Sequence, residues 1–292
     1  MTGAIRGTTR VAAVIGWPAR HSLSPVILNA AFEAAGADWV FTAFEVPDGR
    51  GGDAVAAARV LGLGGLAVTM PHKGAVAAAV DELTPAAAAL GAVNCVFWRD
   101  GALVGDSTDG PGFVDSLRID EGIDPDGARC VVVGAGGAGR AVARSLGEAG
   151  AAEVVVVNRS PAAAARAAAL AGPVGRVGDH SDIPDADIVV NATPLGMGVA
   201  ADGAPEPLPL DPELLRPGQV VADLIYHPAT TPLLAAARER GLVAVNGLGM
   251  LVHQAARNFR HWLGEDAPLA AMAAAARAAL GGQPGVSDGS NR

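Results

Sequence analysis

Lys73 is the only lysine among the 21 basic residues of this chain. A sequence that uses arginine wherever positive charge is enough keeps a lysine for work a guanidinium cannot do. An ammonium is compact and can lower its pKa far enough to trade a proton, whereas arginine stays charged. The only tyrosine, Tyr226, draws attention for the same reason. Lys73 ends the run Gly65-Leu66-Ala67-Val68-Thr69-Met70-Pro71-His72-Lys73, which reads as a strand over 66–70 entering a helix over 71–83. A cation in the first turn of a helix meets the positive end of the helix dipole, which disfavours its charge. That is wrong for a structural ion pair and useful for proton transfer. A carboxylate could orient the ammonium and share its proton chemistry, and Gly105-Asp106-Ser107-Thr108-Asp109-Gly110 offers two, Asp106 and Asp109. Spacing alone does not choose between them.

A second kind of chemistry is written in glycine. Gly134-Ala135-Gly136-Gly137-Ala138-Gly139 follows an apolar strand, precedes a helix and is followed by another strand, the context a G-x-G-x-x-G motif needs to bind a dinucleotide. Without Cβ atoms the backbone can approach a pyrophosphate, and the helix N-terminus offers free N–H groups. At the end of the next strand a carboxylate would select NAD by bonding the ribose hydroxyls. This chain has Asn158-Arg159-Ser160 instead. Asn158 and Ser160 can donate to a 2′-phosphate, and Arg159 can pair with it or stack on adenine. The expected cofactor is therefore NADP. In Ser22-Leu23-Ser24-Pro25, Ser24 suits an N-cap and Pro25 the first helical position; the two hydroxyls and the helix N-terminus could also hold a small carboxylate.

These residues need elements to position them. The first hundred residues alternate strands (11–15, 40–46, 66–70) with helices (25–35, 53–61, 71–83), then form a hairpin of 92–98 and 103–104 around Asp100-Gly101. The turn-rich Ile123-Asp124-Pro125-Asp126-Gly127 opens a second unit, with strands at 130–133, 154–157, 188–190, 220–224 and 242–245. Helices over 250–263 and 267–280 follow the last strand and should return to the first unit. The fold class is α/β with two domains. Residues 1–110 form a substrate domain with a mixed sheet, 111–246 a Rossmann-type NADP-binding domain, 247–280 the returning helices and 281–292 a disordered tail.

Composition removes other classes. The net charge of −9, without a basic run, excludes general nucleic-acid binding. No apolar stretch is long enough to span a bilayer, and without a charged n-region followed by an apolar h-region no secretory signal is expected. Cys95 and Cys130 lie in apolar strands without metal-type spacing and read as reduced core residues, as expected of a cytoplasmic protein.

Taken in order, several segments resemble the shikimate dehydrogenase family almost end to end, from Gly16 to about Trp262. They are Gly16-Trp17-Pro18 with His21-Ser22-Leu23-Ser24-Pro25, Val68-Thr69-Met70-Pro71-His72-Lys73, Gly91-Ala92-Val93-Asn94, and Ser107-Thr108-Asp109-Gly110. The glycine loop, Asn158-Arg159-Ser160 and Asn191-Ala192-Thr193-Pro194-Leu195-Gly196-Met197 follow. Asp223-Leu224-Ile225-Tyr226 and Asn246-Gly247-Leu248-Gly249-Met250-Leu251 with Gln254 complete the set.

The resemblance implies reversible NADPH-dependent reduction of 3-dehydroshikimate to shikimate, a step of aromatic amino-acid biosynthesis, in an interdomain cleft. It implies that Ser22 and Ser24 bind the substrate carboxylate and that Thr69, Asn94, Asp109 and Gln254 hold ring hydroxyls. Lys73 with Asp109 would be the catalytic pair. Tyr226 and Gly247 would line the place where nicotinamide meets substrate, with Thr193, Met197, Leu224 and Met250 on the cofactor side. The implied assembly is a monomer or homodimer.

Three positions depart from the family pattern. Ala67 stands where Asn is common, Ser107 opens what is usually an N-T-D signature, and Ala163 replaces an Arg often found beyond the phosphate motif. A quinate or amino-shikimate dehydrogenase using NAD or NADP is the alternative that these departures keep open.

Overall fold

The structure is a computed structural model and describes residues 5–198 and 207–281; the tail expected at 281–292 lies, beyond 281, outside the described residues. The chain divides into two compact units. One contains the chain up to Thr108 together with the segment from Val252, and the other runs from Asp109 to Leu251.

In the first unit the chain forms β1 (Arg10–Gly16), α1 (Ser24–Ala34), β2 (Trp39–Glu45), α2 (Gly51–Leu61), β3 (Gly65–Val68), α3 (Lys73–Ala77), β4 (Glu82–Leu83), α4 (Pro85–Leu90), β5 (Cys95–Arg99) and β6 (Ala102–Asp106). The six strands form one sheet in the order β2-β1-β3-β5-β6-β4. β1 lies parallel to β2 and β3, while β5 is antiparallel to both β3 and β6, so the sheet is mixed. The β5–β6 hairpin turns at Asp100-Gly101, where both residues take positive φ, 52° and 84°, as the right-handed twist of a tight hairpin requires. One face of the sheet buries Ala13, Ile15, Leu66, Val68 and Val96 against Val55 and Ala58 of α2 and Val76 of α3.

The second unit contains α5 (Asp109–Asp115), continued by a π-helical turn (Ser116–Asp120), then β7 (Arg129–Val133), α6 (Gly137–Glu148), β8 (Glu153–Val157), α7 (Pro161–Leu170), β9 (Gly175–Val177), β10 (Ile188–Asn191), β11 (Val220–Asp223), α8 (Pro232–Glu239) and β12 (Val243–Val245). Its sheet is parallel throughout, in the order β12-β11-β10-β7-β8-β9. Alternate residues of β7 enter opposite cores: Cys130 and Val132 face α6 and α7, Val131 and Val133 face α8. Burial on both faces is why these strands read as continuous Val runs. Cys95 and Cys130 are both buried free thiols; burial pushes Cys130 up to about 12. The helices α9 (Leu248–Leu263) and α10 (Leu269–Gly281) close the described chain, and the division between units falls within α9.

Several elements differ from expectation. The helix expected over 71–83 is only five residues long. After it, Glu82 and Leu83 pair with Val104 and Gly105 of β6, and the Asp81 carboxylate accepts the Leu103 amide at 2.7 Å. Thr84 then starts a new helix, its hydroxyl accepting the Ala87 amide at 3.3 Å. Pairing with β6 overrides the helix propensity of an Ala-rich run. The strand expected over 66–70 stops at Val68. The helices α5, α7 and α8 and the short β9 had no counterpart in the sequence reading; α7 and α8 carry clear Ser160-Pro161 and Thr231-Pro232 starts but little polar-apolar alternation to reveal them.

Candidate active site

In the first unit, strand register brings the candidate residues to one sheet edge. Ile15 pairs with Val68, so Gly16 and Thr69 leave their strands together. Cys95 pairs with Asp106 across the hairpin, so Asn94 and Ser107 sit at one end, and the Asn94 carbonyl accepts the Val68 amide at 2.8 Å. The Lys73 carbonyl accepts the Val93 amide at 3.0 Å, which ties the start of α3 to the segment that carries Asn94. Gly16 is required by close approach: a Cβ there would fall 2.3 Å from Thr69 Cγ2. Neighbouring His72 is buried, its Nε2 2.7 Å from the Val46 carbonyl oxygen, and anchors the backbone that presents Lys73.

Side-chain amides then organise the edge. Asn94 Oδ1 accepts the Thr108 amide at 2.7 Å, and its Nδ2 donates to Thr108 Oγ1 at 2.9 Å. Thr108 Oγ1 donates onward to Asn258 Oδ1 at 2.9 Å. Gln254 Oε1 accepts from Asn94 at 3.4 Å and from Asn258 at 3.5 Å. All four residues are buried, so each lost bond would strand a polar group away from water. Asp109 follows Thr108 directly and opens α5; the network therefore fixes the residue from which Asp109 departs. Asn258 had no place in the sequence reading; its signal was a second side-chain amide one helical turn after Gln254.

The same geometry separates the two carboxylates that spacing left open. Asp106 Oδ1 accepts Thr84 Oγ1 at 2.5 Å and the Ser107 amide at 2.8 Å, while Oδ2 lies 2.8 Å from His261 Nε2. Burial works against its charge, but the bonds from His261, Thr84 and Ser107 outweigh burial and hold its pKa below the ordinary value. Both oxygens of Asp106 are thus committed to structure.

Ser22 and Ser24 are placed differently from the expected cap. Ser24 is the first residue of α1, Leu23 occupies the N-cap, and no side chain caps the helix. Instead Ser22 Oγ accepts the Ser24 amide at 3.2 Å. Ser24 is a buried residue whose hydroxyl makes no hydrogen bond among the described residues. The loop before it is held by Arg20, which pairs with Glu45 through Nε at 2.9 Å and through a second nitrogen. That bond, chiefly, pulls the Glu45 carboxyl down to about 2.

In the second unit the parallel register aligns the strand ends. Val133 pairs with Val157 and with Asn191, and Asn191 pairs with Asp223. The glycine loop, Asn158, Ala192 and Leu224 thus emerge at one edge, beside the point where strand order reverses about β7. The glycines there serve two purposes. Gly134 has φ of 111°, and a Cβ on it would fall 2.9 Å from the Ala192 backbone; a Cβ on Gly139 would meet the Gly134 carbonyl oxygen at 2.1 Å. Packing demands both. Gly136 and Gly137, by contrast, face open space, with nothing within 4 Å of an added Cβ. Their backbone, with Ala138, begins the twelve-residue α6, so open space and free amide donors coincide where an anion would bind.

At the neighbouring strand end, Asn158 Oδ1 accepts the Ala135 amide at 3.3 Å and Nδ2 donates to the Ser160 carbonyl at 3.2 Å. Ser160 caps α7 by accepting the Ala163 amide at 3.4 Å. Asn158 and Ser160 therefore shape the turn, and the exposed Arg159, which makes no ion pair among the described residues, is the cation available to a phosphate. Gly247 lies against the next loop, where a Cβ would meet the Leu224 carbonyl oxygen at 2.0 Å. Met250 and Leu224 pack on the core, Met197 is 56% exposed, and Tyr226 is half-buried with its phenol pKa raised by burial. Among the described residues no His, Cys, Asp and Glu group could hold a metal ion, and no helix is long and apolar enough to cross a membrane.

The profile of the shikimate dehydrogenase substrate binding domain matches residues 14–96, that of shikimate/quinate 5-dehydrogenase matches 120–197, and that of the shikimate 5′-dehydrogenase C-terminal domain matches 247–277. A shikimate dehydrogenase (NADP(+)) of Moorella thermoacetica is 44% identical over 291 residues, covering 96% of this chain and 97% of that protein. The crystal structure of shikimate 5-dehydrogenase from Thermus thermophilus in complex with NADP(H) and shikimate gives a TM-score of 0.85 at 37% identity, over 93% of this chain and 100% of that one. The Listeria monocytogenes enzyme in complex with shikimate and NAD gives 0.84 at 35% identity, over 93% of this chain and 98% of that one.

Proposed function

We propose, from the premise that the chain belongs to the shikimate dehydrogenase family, a division of roles among its residues. The protein is an NADP-dependent shikimate dehydrogenase, an oxidoreductase that interconverts shikimate and 3-dehydroshikimate in aromatic biosynthesis. NADP, when bound, supplies a hydride acceptor or donor at the nicotinamide. The residues fit it: open glycine backbone at the start of α6 suits a pyrophosphate, and an unpaired guanidinium at Arg159 suits a 2′-phosphate.

Ser24, with an uncommitted hydroxyl, and Ser22 bind the substrate carboxylate. Thr69, Asn94 and Gln254 bind ring hydroxyls and fix which ring carbon is presented for oxidation. Lys73 takes the proton from the reacting hydroxyl in oxidation and returns it in reduction, and Asp109 orients the ammonium. Thr193, Met197, Leu224, Gly247 and Met250 line the nicotinamide side, and Tyr226 contacts the substrate. The two buried free thiols suit a cytoplasmic metabolic enzyme.

The main support is the common sheet edge at which β1, β3, β5 and β6 deliver the segments of Thr69, Lys73, Asn94 and Thr108. Steady-state oxidation of shikimate and of quinate, each with NADP and with NAD, tests this reading. Shikimate with NADP should have the highest kcat/KM. A preference for quinate, or turnover of neither acid, overturns the substrate assignment.

A further inference from the structure

We propose that Asp223 is a positioning residue for the cofactor: through Asn191 it fixes the loop that borders the glycine turn. The inference rests on the reading of the second unit as the NADP site. Asp223 ends β11 and Asn191 ends β10, paired in register, and they are 1% and 0% exposed. Asp223 Oδ1 accepts Asn191 Nδ2 at 3.0 Å and the Ile225 amide at 3.1 Å; Oδ2 accepts Thr231 Oγ1 at 2.7 Å.

An ionised carboxylate can only accept hydrogen bonds, so it dictates which end of the Asn191 amide faces it. With Nδ2 toward Asp223, Oδ1 points the other way and accepts both the amide and the hydroxyl of Thr193, at 3.0 and 2.7 Å. The Thr193 hydroxyl then accepts the Leu195 amide at 3.3 Å. That loop touches the nucleotide turn directly. A Cβ on Gly134 would lie 3.0 Å from Thr193 Cγ2, and one on Gly139 would lie 3.3 Å from Ala192 Cβ. The Ile225 bond sets the start of the segment leading to Tyr226. One buried carboxylate therefore sets two loops at the cofactor edge. Burial raises its pKa against three neutral donors and no cation, a cost that a merely space-filling apolar residue at this strand end would not carry.

The test is Asp223→Asn, nearly identical in shape but no longer only an acceptor, so that Asn191 loses its imposed orientation. Binding is read with two ligands: NADPH by fluorescence titration, and adenosine 2′-monophosphate, which lacks the pyrophosphate altogether, by calorimetry. NADPH affinity should fall about tenfold or more, the scale of a lost charge-assisted hydrogen bond, while adenosine 2′-monophosphate affinity stays within about twofold, below the effect of any one such bond. Equal losses for both ligands would mean a general structural role, and no loss for either would mean no role; each overturns the proposal. Asn191→Ala should reproduce the NADPH loss, and it carries the test alone if Asp223→Asn does not fold. The double variant should add little to either single change, as for residues acting through one contact; additive losses would show that Asp223 does not act through Asn191. Because the readout is binding, a wild-type protein that binds NADPH but does not oxidise shikimate would sink the substrate reading and leave this proposal standing.

Discussion

The substrate unit and the nucleotide unit solve recognition in different materials. In the first, side chains hold side chains: Asn94, Thr108, Gln254 and Asn258 bond one another in a buried chain. In the second, the surface proposed to meet the pyrophosphate is backbone, left open by glycine at positions 136 and 137, with an exposed guanidinium at Arg159. The contrast extends to their buried carboxylates. Asp106 faces His261 as well as neutral donors and its pKa is lowered; Asp223 has only neutral donors and its pKa is raised by burial. A ring carrying several hydroxyls calls for many directed groups, whereas a pyrophosphate is satisfied by amides that any sequence supplies once Cβ atoms are removed. Side-chain substitutions should therefore damage the first unit more selectively than the second.

The largest effect should come from Lys73. Lys73→Ala is expected to lower kcat about 10²–10⁴-fold, the usual contribution of a proton-transfer group. Its melting temperature should be nearly unchanged, since the Val93 bond uses the Lys73 backbone. Lys73→Arg should fare almost as badly in the same assay, because arginine does not release its proton. A loss below about threefold in either variant, far short of general acid–base catalysis, removes Lys73 from the chemistry.

Next come the serines. Ser24→Ala should raise KM for shikimate about ten- to a hundredfold, as for a lost hydrogen bond to a charged group, without a change in melting temperature. Ser22→Ala should do the same and also cost stability, because the Ser22 hydroxyl accepts the Ser24 amide. Lower stability with unchanged KM in the Ser24 variant would make this segment purely structural.

The smallest effect separates the two carboxylates by pH. A folded pKa below the unfolded value means that Asp106 contributes stability fully present above about pH 4, lost as pH falls through its folded value. Asp223 runs the other way, favouring the fold less as pH rises through its raised pKa. Asp106→Asn should therefore melt about 2–4 °C lower at neutral pH, the size of roughly one lost kcal/mol, and lose less on acidification below about pH 4 than wild type. Parallel acid profiles for the two proteins would refute the assignment.

How much was legible beforehand follows the same divide. The glycine loop could be read because positive φ and close approach leave glycine almost no substitute, and Asn158-Arg159-Ser160 could be read by the acid it lacks. The lone lysine stood out against an arginine-only background. The choice of Asp109 over Asp106 was not contained in spacing; the resemblance supplied it, and the structure gives a physical reason to set Asp106 aside, since both its oxygens are engaged by Thr84, Ser107 and His261. Asn258 was invisible because its partner, Thr108, lies far along the chain; Asp223 stood in a segment that carries the resemblance, but its role was not legible because it depends on Asn191, at the end of another strand. The Pro71 helix was overestimated because pairing of Glu82 with Val104 is a tertiary fact, and Ser24 was read as a cap because Ser-Pro usually begins a helix that way.

The division between side-chain and backbone recognition is tested most directly at Arg159, the side chain of the nucleotide unit proposed to meet the 2′-phosphate. The measurement is the ratio of kcat/KM for NADP to kcat/KM for NAD, in wild type and in Arg159→Ala. Wild type should favour NADP, and Arg159→Ala should lower NADP use about ten- to a hundredfold, the scale of a lost charge-assisted bond to phosphate, while NAD use changes little. Equal losses with both cofactors would show that Arg159 only stacks on adenine, and a wild-type preference for NAD would contradict the cofactor assignment outright.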